Sequence, residues 1–224
     1  MVGTPKELAE KYYNEGIDEL VYMDIVASLY QRNLDFDQLR ETSKNVFIPL
    51  TVGGGIRSLG DIEMALHAGA DKVAINTYAI HHPEFLREAA EKFGSQCVVL
   101  SVEAIETGAG RWEAYTDGGR EKTGVDVLQW IEKALTLGVG EILLTSIDRD
   151  GTKTGYDLTL LRAVENISTV PVILHGGAAS PDDVVEVAVA GAEAVSVSSI
   201  LHYGTSSVGA IKKRLQEEGI EIRK

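Results

Sequence analysis

The sequence contains a single cysteine, Cys97, among its 224 residues. A lone cysteine excludes a framework of intramolecular disulfides and is typical of a reducing compartment. Cys97 begins the apolar run Cys97–Leu100, which favours a buried and unreactive side chain. Apolar runs of membrane-spanning length are also missing, as is a secretory signal pattern, so we expect a cytoplasmic location.

Positive charge is scarce as well. The chain has 21 Lys and Arg against 34 Asp and Glu, a net charge of −13. This balance argues against nucleic acids and anionic membranes as partners, because both require a basic face. A small anionic substrate remains compatible, since a Gly-rich backbone binds phosphate even within an acidic protein. No His or Cys group has zinc-site spacing, so we expect no metal or other cofactor.

Short apolar segments alternate with amphipathic segments along the whole chain. The predicted strands are Glu19–Asp24, Ile48–Val52, Lys72–Asn76, Val98–Glu103, Glu141–Ile147, Val170–His175 and Ala194–Ser198. The predicted helices are Pro5–Glu15, Leu34–Lys44, Leu59–Ala68, Pro83–Phe93, Val125–Leu137, Leu158–Asn166, Pro181–Ala190 and Val208–Glu218. Such alternation indicates a parallel sheet with right-handed crossovers, and continuous apolar strands are buried on both faces.

An internal repeat distinguishes a barrel from an open sheet. Pro49–Gly55 aligns without gaps on Pro171–Gly177, an offset of 122 residues. The same offset carries Ser58 to Ser180, and Glu19 to Glu141. The sequence therefore predicts a (βα)8 TIM barrel as a single domain over residues 1–224, built from two half-barrels of roughly residues 1–120 and 121–224.

Eight helices but only seven strands are predicted, and a helix comes first. We therefore expect the first strand of the eight-fold barrel to be absent, with the strands before Ile48 and after Gly191 left unpaired on one side. Unpaired strand edges invite association, so self-association is expected.

Two Gly-rich loops follow predicted strands and precede predicted helices, which places both at the C-terminal face of a barrel. The first combines Gly53, Gly54 and Gly55 with Asn76 and Thr77 on the next strand end. The repeat supplies the second, in which Gly176, Gly177 and Ala178 accompany Ser198 and Ser199. Glycines let backbone N–H groups approach an anion, so the symmetric pair predicts a ligand with two phosphates. Tight strand-to-helix turns that simply need glycine are the alternative.

Asp24, Glu103, Asp148 and Asp150 lie at or just beyond strand C-termini. They are expected to converge on the barrel mouth as candidates for general acid–base chemistry. Hydrogen bonding to loop backbone is the alternative for each. His175 takes a glycine position of the repeat, and phosphate contact, proton donation and packing all remain open for it.

Glu19, Lys72, Glu141 and Ala194 enter their strands in the same register. Alternate strands of a barrel supply one interior layer, so these residues are predicted to form a ring near the N-terminal face. Buried charges are costly unless paired. The ring is interpreted as a charged gate over an interior passage, with an ion pair that seals the barrel as the alternative.

The chain resembles the cyclase subunit of imidazole glycerol phosphate synthase from about Pro5 onwards. The resemblance is carried by Glu19–Ser28, Thr51–Ile56, Ala70–Thr77, Phe93–Gln96 and Glu141–Asp157, of which Ser146–Asp157 is the most specific. It implies a ribulose-phosphate-binding barrel, a lyase of histidine biosynthesis. A glutaminase partner would supply ammonia through the barrel interior to a bis-phosphate ribulosyl imidazole-carboxamide nucleotide.

The resemblance also implies roles for individual residues. Gly55, Asn76 and Thr77 correspond to one phosphate site, and Gly177, Ser198 and Ser199 to the other. Glu19, Lys72 and Glu141 correspond to the gate, and Asp24, Asp148 and Asp150 to acidic residues near the substrate.

Two departures from the family pattern are visible. One of the family's two catalytic aspartates, and the gate's arginine, belong to the strand absent here. The other aspartate falls at Glu103, one methylene longer. We therefore expect slow turnover. Asp24–Tyr30 and Ser101–Ile105 resemble a paralogous group that acts with a glutaminase-like partner in sugar amidation for surface polysaccharide. A truncated or engineered fragment that binds phosphate without catalysis is the third alternative.

Overall fold

The computed structural model describes residues 3–30 and 32–223. Seven parallel strands run in the order β1-β2-β3-β4-β7-β8-β9, which follows the chain. They are β1 (Leu20–Met23), β2 (Leu50–Gly53), β3 (Lys72–Ile75), β4 (Val98–Gly108), β7 (Glu141–Ser146), β8 (Val172–His175) and β9 (Ala194–Ser196). All seven predicted strands are present, and the predicted TIM-barrel class is confirmed.

Helices separate the parallel strands and cover the outside of the sheet. They are α1 (Pro5–Asn14), α2 (Phe36–Ser43), α3 (Leu59–His67), α4 (Thr77–His81), α5 (Glu84–Phe93), α6 (Val127–Thr136), α7 (Leu158–Glu165), α8 (Pro181–Val189), α9 (Ser199–His202) and α10 (Val208–Glu217). The eight predicted helices form within two residues of their expected bounds. The one-turn helices α4 and α9 were not predicted, because a single turn shows no helical periodicity.

The interior of the sheet holds a small apolar cluster of Ala74, Val99, Leu143 and Ile173. Val21 and Met23 of β1 and Ala194 of β9 pack against the same cluster. Because these two strands are the opposite ends of the path, the sheet must curl around the cluster. A larger core between sheet and helices includes Ile62, Leu86, Ile131 and Leu161.

A hairpin that the sequence analysis missed extends the fourth strand. β4 continues five residues beyond its predicted end at Glu103, and it pairs antiparallel with β5 (Arg111–Thr116). In turn, β5 pairs antiparallel with β6 (Glu121–Asp126). The helix predicted to start at Val125 begins instead at Val127, and Asp126 caps it by accepting the Gln129 N–H.

Residues related by the 122-residue offset have nearly the same backbone dihedral angles. Gly54 and Gly176 have φ of 99° and 98°. Asn76 and Ser198, which precede the one-turn helices α4 and α9, have φ/ψ of −122°/−87° and −133°/−75°. This agreement at both ends of the repeated unit supports the interpretation of two half-barrels.

Cys97 lies in a short 3₁₀ turn, Ser95–Cys97, that leads into β4. Its side chain is buried as expected, and burial raises the pKa of the thiol, with the charge of Asp71 adding to the effect. Within the described ranges, no helix has the length and apolar character needed to cross a membrane.

The two end strands of the path set an expectation for the solution state. Among residues 3–30 and 32–223, β1 pairs only with β2, and β9 only with β8. Each edge presents backbone groups that can pair with another chain. We expect the 224-residue chain to self-associate in a concentration-dependent way, measured by multi-angle light scattering. A monomer at all concentrations would contradict this.

Candidate active site

The C-terminal ends of the first four parallel strands border a cavity of about 450 Å³. Asp24, Gly54, Gly55, Asn76, Thr77 and Glu103, all singled out from the sequence, line it. The second set of predicted phosphate residues and the two acids after β7 do not. One half of the predicted site is therefore gathered into a single concave space.

The first Gly-rich loop is shaped by close backbone contact with the segment after β1. A Cβ on Gly54 would lie 2.2 Å from the Asp24 carbonyl oxygen, and one on Gly55 would lie 2.6 Å from the Arg32 carbonyl oxygen. Only glycine fits both positions. The loop continues into α3, whose Ser58 cap accepts the Asp61 N–H, so its backbone is held from both sides.

Asn76 and Thr77 stand where β3 passes into α4. The Asn76 amide donates to the Tyr115 carbonyl oxygen at 3.0 Å, while its Oδ1 is buried with no hydrogen-bond partner among the described residues. The Thr77 hydroxyl oxygen accepts the Asp117 N–H at 3.2 Å. The hydroxyl proton is then available for an acceptor in the cavity, and phosphate oxygens are strong acceptors.

The second Gly-rich loop is built in the same way. A Cβ on Gly177 would lie 2.1 Å from the Gly155 carbonyl oxygen. The Gly155 N–H donates to the Gly177 carbonyl oxygen at 2.9 Å. Ser198 immediately precedes α9, and Ser199 begins it. The loop after β7, which contains Ser146–Asp157, thus supports the second loop as the segment after β1 supports the first.

Glu103 is a partly buried acid of the cavity. Its carboxylate accepts the Gly119 N–H at 2.8 Å. Burial raises the pKa of Glu103, the Gly119 hydrogen bond opposes this, and the charge of Asp117 adds to the rise. A carboxyl group whose pKa is raised keeps its proton to higher pH, which suits a general acid.

Asp24 is placed as expected, but its carboxylate is engaged. Arg32 forms a bidentate salt bridge with it, in which Nη1 lies 2.7 Å from Oδ2 and Nη2 lies 2.9 Å from Oδ1. A bidentate pair of this kind fixes geometry as well as charge. The structure therefore favours Asp24 as an anchor of the segment after β1.

Asp148 and Asp150 lie after β7 and are exposed. Asp148 accepts the Glu106 N–H at 2.7 Å, which ties the β7 loop to the extended end of β4. An oxygen of Asp150 is 3.6 Å from Nε2 of His175. The Nδ1 atom of His175 is buried and has no partner among the described residues.

The predicted charged ring forms at the opposite end of the strands. Lys72 Nζ lies 3.0 Å from Glu19 and 2.8 Å from Glu141. Burial alone would lower the pKa of Lys72, but hydrogen bonds and charge from Glu141 and Glu19 more than offset this, so the pKa is raised. Ala194 takes the fourth position at the start of β9.

The cavity is also lined by five polar residues that were not predicted from the sequence: Arg57, His81, His82, Ser101 and Asp117. Ser101 was detectable, because it precedes Glu103 by two residues and shares its strand face. For Asp117 the signal was a turn sequence between two alternating segments. Over residues 3–30 and 32–223, no three His, Cys, Asp or Glu side chains are grouped as metal ligands would be.

Together, these features define a TIM barrel with two Gly-rich loops and a partly buried carboxyl group at the C-terminal ends of its strands. The chain belongs to the histidine biosynthesis protein family, whose model matches residues 1–207. It is 48% identical over 226 residues to the imidazole glycerol phosphate synthase subunit HisF of Streptococcus sanguinis, covering 99% of this chain and 88% of the relative. The HisF subunit of Streptococcus mutans is 47% identical over 223 residues, covering 99% and 89%.

Proposed function

We propose that this chain is a cyclase subunit of the imidazole glycerol phosphate synthase type. It uses ammonia from a glutaminase partner to convert a bis-phosphate ribulosyl imidazole-carboxamide nucleotide into imidazole glycerol phosphate and an aminoimidazole carboxamide nucleotide, in the histidine pathway of the cytoplasm. The names of the streptococcal relatives support this. The carrying observation is the cavity that brings Glu103 next to the first Gly-rich loop.

The two Gly-rich loops hold the two ends of the substrate. Backbone N–H groups after β2 and the Thr77 hydroxyl bind one phosphate, and the equivalent groups after β8, with Ser198 and Ser199, bind the other. Both loops lie at C-terminal ends of strands, so the reacting centre is stretched across the mouth between them. Because binding holds both ends of the substrate, much of the entropy that the substrate must lose to reach the transition state is already lost in the bound complex.

Glu103 is the proton-transfer group of this arrangement. Its burial favours the protonated carboxyl, and the Gly119 N–H holds one oxygen in place. The protonated form donates to a developing negative charge, and the resulting carboxylate takes a proton back in a later step. Asp148, Asp150 and Asp24 shape the mouth through the contacts described above.

Binding of inorganic and organic phosphates tests the two-loop arrangement. Because the second phosphate of one molecule binds intramolecularly, we expect a bis-phosphate to bind about 10²-fold or more tightly than the matching mono-phosphate. Isothermal titration calorimetry with the nucleotide substrate and its mono-phosphate analogues measures this ratio. Equal affinities would contradict the arrangement.

The charged ring gives the route for ammonia. Glu19, Lys72 and Glu141 come from three different strands and close the N-terminal end of the interior. We expect Lys72→Met, assayed with a glutaminase subunit of a streptococcal relative, to lower glutamine-driven product severalfold while activity with free ammonia is retained. Lys92→Met is the matched control, because Lys92 makes one ion pair with Glu63 on the outer surface. Equal glutamine-driven yields for both variants would argue for a purely structural ion pair.

Glu103 is also the observation that favours a second candidate, the paralogous subunit for sugar amidation. The Glu103 carboxyl group is one methylene further from the β4 backbone than that of the aspartate in the cyclase pattern, so the chain departs from that pattern at this position. The two candidates differ in substrate. Ammonia-dependent formation of imidazole glycerol phosphate supports the first, and transfer of nitrogen to a nucleotide-linked sugar supports the second.

A further inference from the structure

The turn between β5 and β6, Asp117-Gly118-Gly119, contacts both kinds of group in the cavity. The Asp117 N–H donates to the Thr77 hydroxyl oxygen at 3.2 Å, and the Gly119 N–H donates to the Glu103 carboxylate at 2.8 Å. Asp117 and Gly118 also line the cavity. One three-residue turn therefore joins a phosphate-binding residue to the proton-transfer residue.

The backbone of this turn is held in an uncommon conformation. Asp117, Gly118 and Gly119 have φ of 54°, 70° and 75°, so three residues in succession are left-handed. Asp117 is one of two non-glycine residues with positive φ in the described chain. Glycine adopts this conformation without strain, whereas a non-glycine residue such as Asp117 adopts it at a cost that the surroundings must offset. Such residues cluster at functional sites, although Asp tolerates the conformation better than most.

Side chains lie close to the turn. A Cβ on Gly119 would lie 2.9 Å from Cδ1 of Ile147, and one on Gly118 would lie 2.8 Å from a guanidinium nitrogen of Arg120. Arg120 in turn donates to the Asp117 carbonyl oxygen at 2.9 Å. The strand that precedes the turn is fixed by Asn76, which donates to the Tyr115 carbonyl oxygen.

We propose that the 117–119 turn is a positioning element that couples phosphate binding at Thr77 to the placement of the Glu103 carboxyl group. The inference rests on the proposed function for the roles of Thr77 and Glu103. When the Thr77 hydroxyl donates to a phosphate oxygen, its own oxygen becomes a better acceptor for the Asp117 N–H, since chains of hydrogen bonds polarise one another. The stronger hydrogen bond draws the turn toward Thr77. The Gly119 N–H moves with the turn and thereby sets the position of the Glu103 carboxyl group.

The charged groups around Glu103 come from several elements. Asp117 and Arg120 belong to the hairpin, Asp24 follows β1, and Arg57, His81 and His82 line the far wall of the cavity. Asp117 and Arg120 act on the Glu103 carboxyl with opposite sign. The turn therefore contributes a hydrogen bond and the charge of Asp117, while Arg120, which follows it, contributes the opposite charge.

A matched pair of substitutions separates positioning from general strain. Gly119→Ala strains the backbone at φ of 75° and places a methyl group 2.9 Å from Cδ1 of Ile147, and we expect this to shift the N–H that holds Glu103. Gly110→Ala imposes similar strain at φ of 70°, with open space around the added methyl group. Since a misplacement near 1 Å costs about 10²-fold in rate, we expect kcat of Gly119→Ala to fall by about that factor with KM nearly unchanged. Gly110→Ala should stay close to the unsubstituted chain. An unchanged kcat for Gly119→Ala would overturn the proposal.

A second measurement does not depend on turnover. Inorganic phosphate, titrated into ¹⁵N-labelled protein, should shift the Gly119 amide signal with the same saturation as the Thr77 signal, while the Gly110 signal stays fixed. In Thr77→Val the Gly119 response should disappear. Saturation of Thr77 without any response at Gly119 would overturn the coupling. Failure of the unsubstituted chain to form imidazole glycerol phosphate would instead remove the proposed function, and this titration would still decide the coupling.

Discussion

Glu103→Gln is expected to reduce ammonia-dependent turnover by about 10²–10⁴-fold, the range typical of a positioned acid or base. The amide keeps the shape of the side chain, and its oxygen can still accept the Gly119 N–H, so substrate affinity should change little. Steady-state kinetics with free ammonia give kcat, and calorimetry gives the affinity. A variant that keeps near-normal kcat would show that the proton-transfer group lies elsewhere.

The same variant has a pH-dependent effect on stability with a defined sign. Burial first, and then the charge of Asp117, raises the pKa of Glu103 in the folded chain. The unsubstituted protein therefore loses stability as pH rises through that raised pKa. Glu103→Gln escapes this loss, so its relative stability should be greatest at neutral pH and should fade below the ordinary glutamate pKa of about 4.3. Urea unfolding at several pH values measures the difference.

Gly177→Ala is expected to disrupt the second Gly-rich loop, its proposed phosphate binding and the folded state together. The new Cβ would lie 2.1 Å from the Gly155 carbonyl oxygen, which is backbone and cannot swing aside. The loop must move, and the hydrogen bond between Gly155 N–H and Gly177 is strained or lost. We expect bis-phosphate affinity to fall by about 10²-fold, toward that of a one-site ligand.

Gly191→Ala controls for backbone strain. Its φ of 108° matches the 109° of Gly177, yet nothing lies within 4 Å of the added methyl group. We expect a cost in unfolding free energy of about 1–2 kcal/mol from the left-handed backbone alone, and normal phosphate affinity. Equal phosphate affinities for the two variants would contradict a binding role for the second loop.

The parallel barrel was predictable because its signals are local and repeated. Apolar strand segments and capped helices recur along the chain, and the 122-residue offset relates the two Gly-rich loops. The hairpin was not predicted, since Val98–Glu103 already satisfies the strand pattern. Beyond Glu103 the strand includes polar residues such as Glu106. These side chains are exposed because this part of the strand lies outside the barrel.

The sequence predicted several residues of the candidate site but not the contacts that these residues make. The position of Asp24 at a strand end indicated the mouth of the barrel. Its bidentate pair with Arg32 depends on how the intervening segment folds back, which no spacing rule specifies. The link from Thr77 to Asp117 crosses 40 residues and an unpredicted hairpin. Contacts of that kind follow from tertiary packing and not from pattern.

Because Cys97 is the only cysteine of the sequence, its thiol can report local unfolding through its rate of chemical labelling. Cys97 is buried where the 3₁₀ turn meets β4, and its raised pKa keeps the thiol protonated and slow to react. An alkylating reagent can modify it only when that junction transiently opens. The labelling rate of one native atom therefore tracks local unfolding at the base of the fourth strand, without any engineered probe.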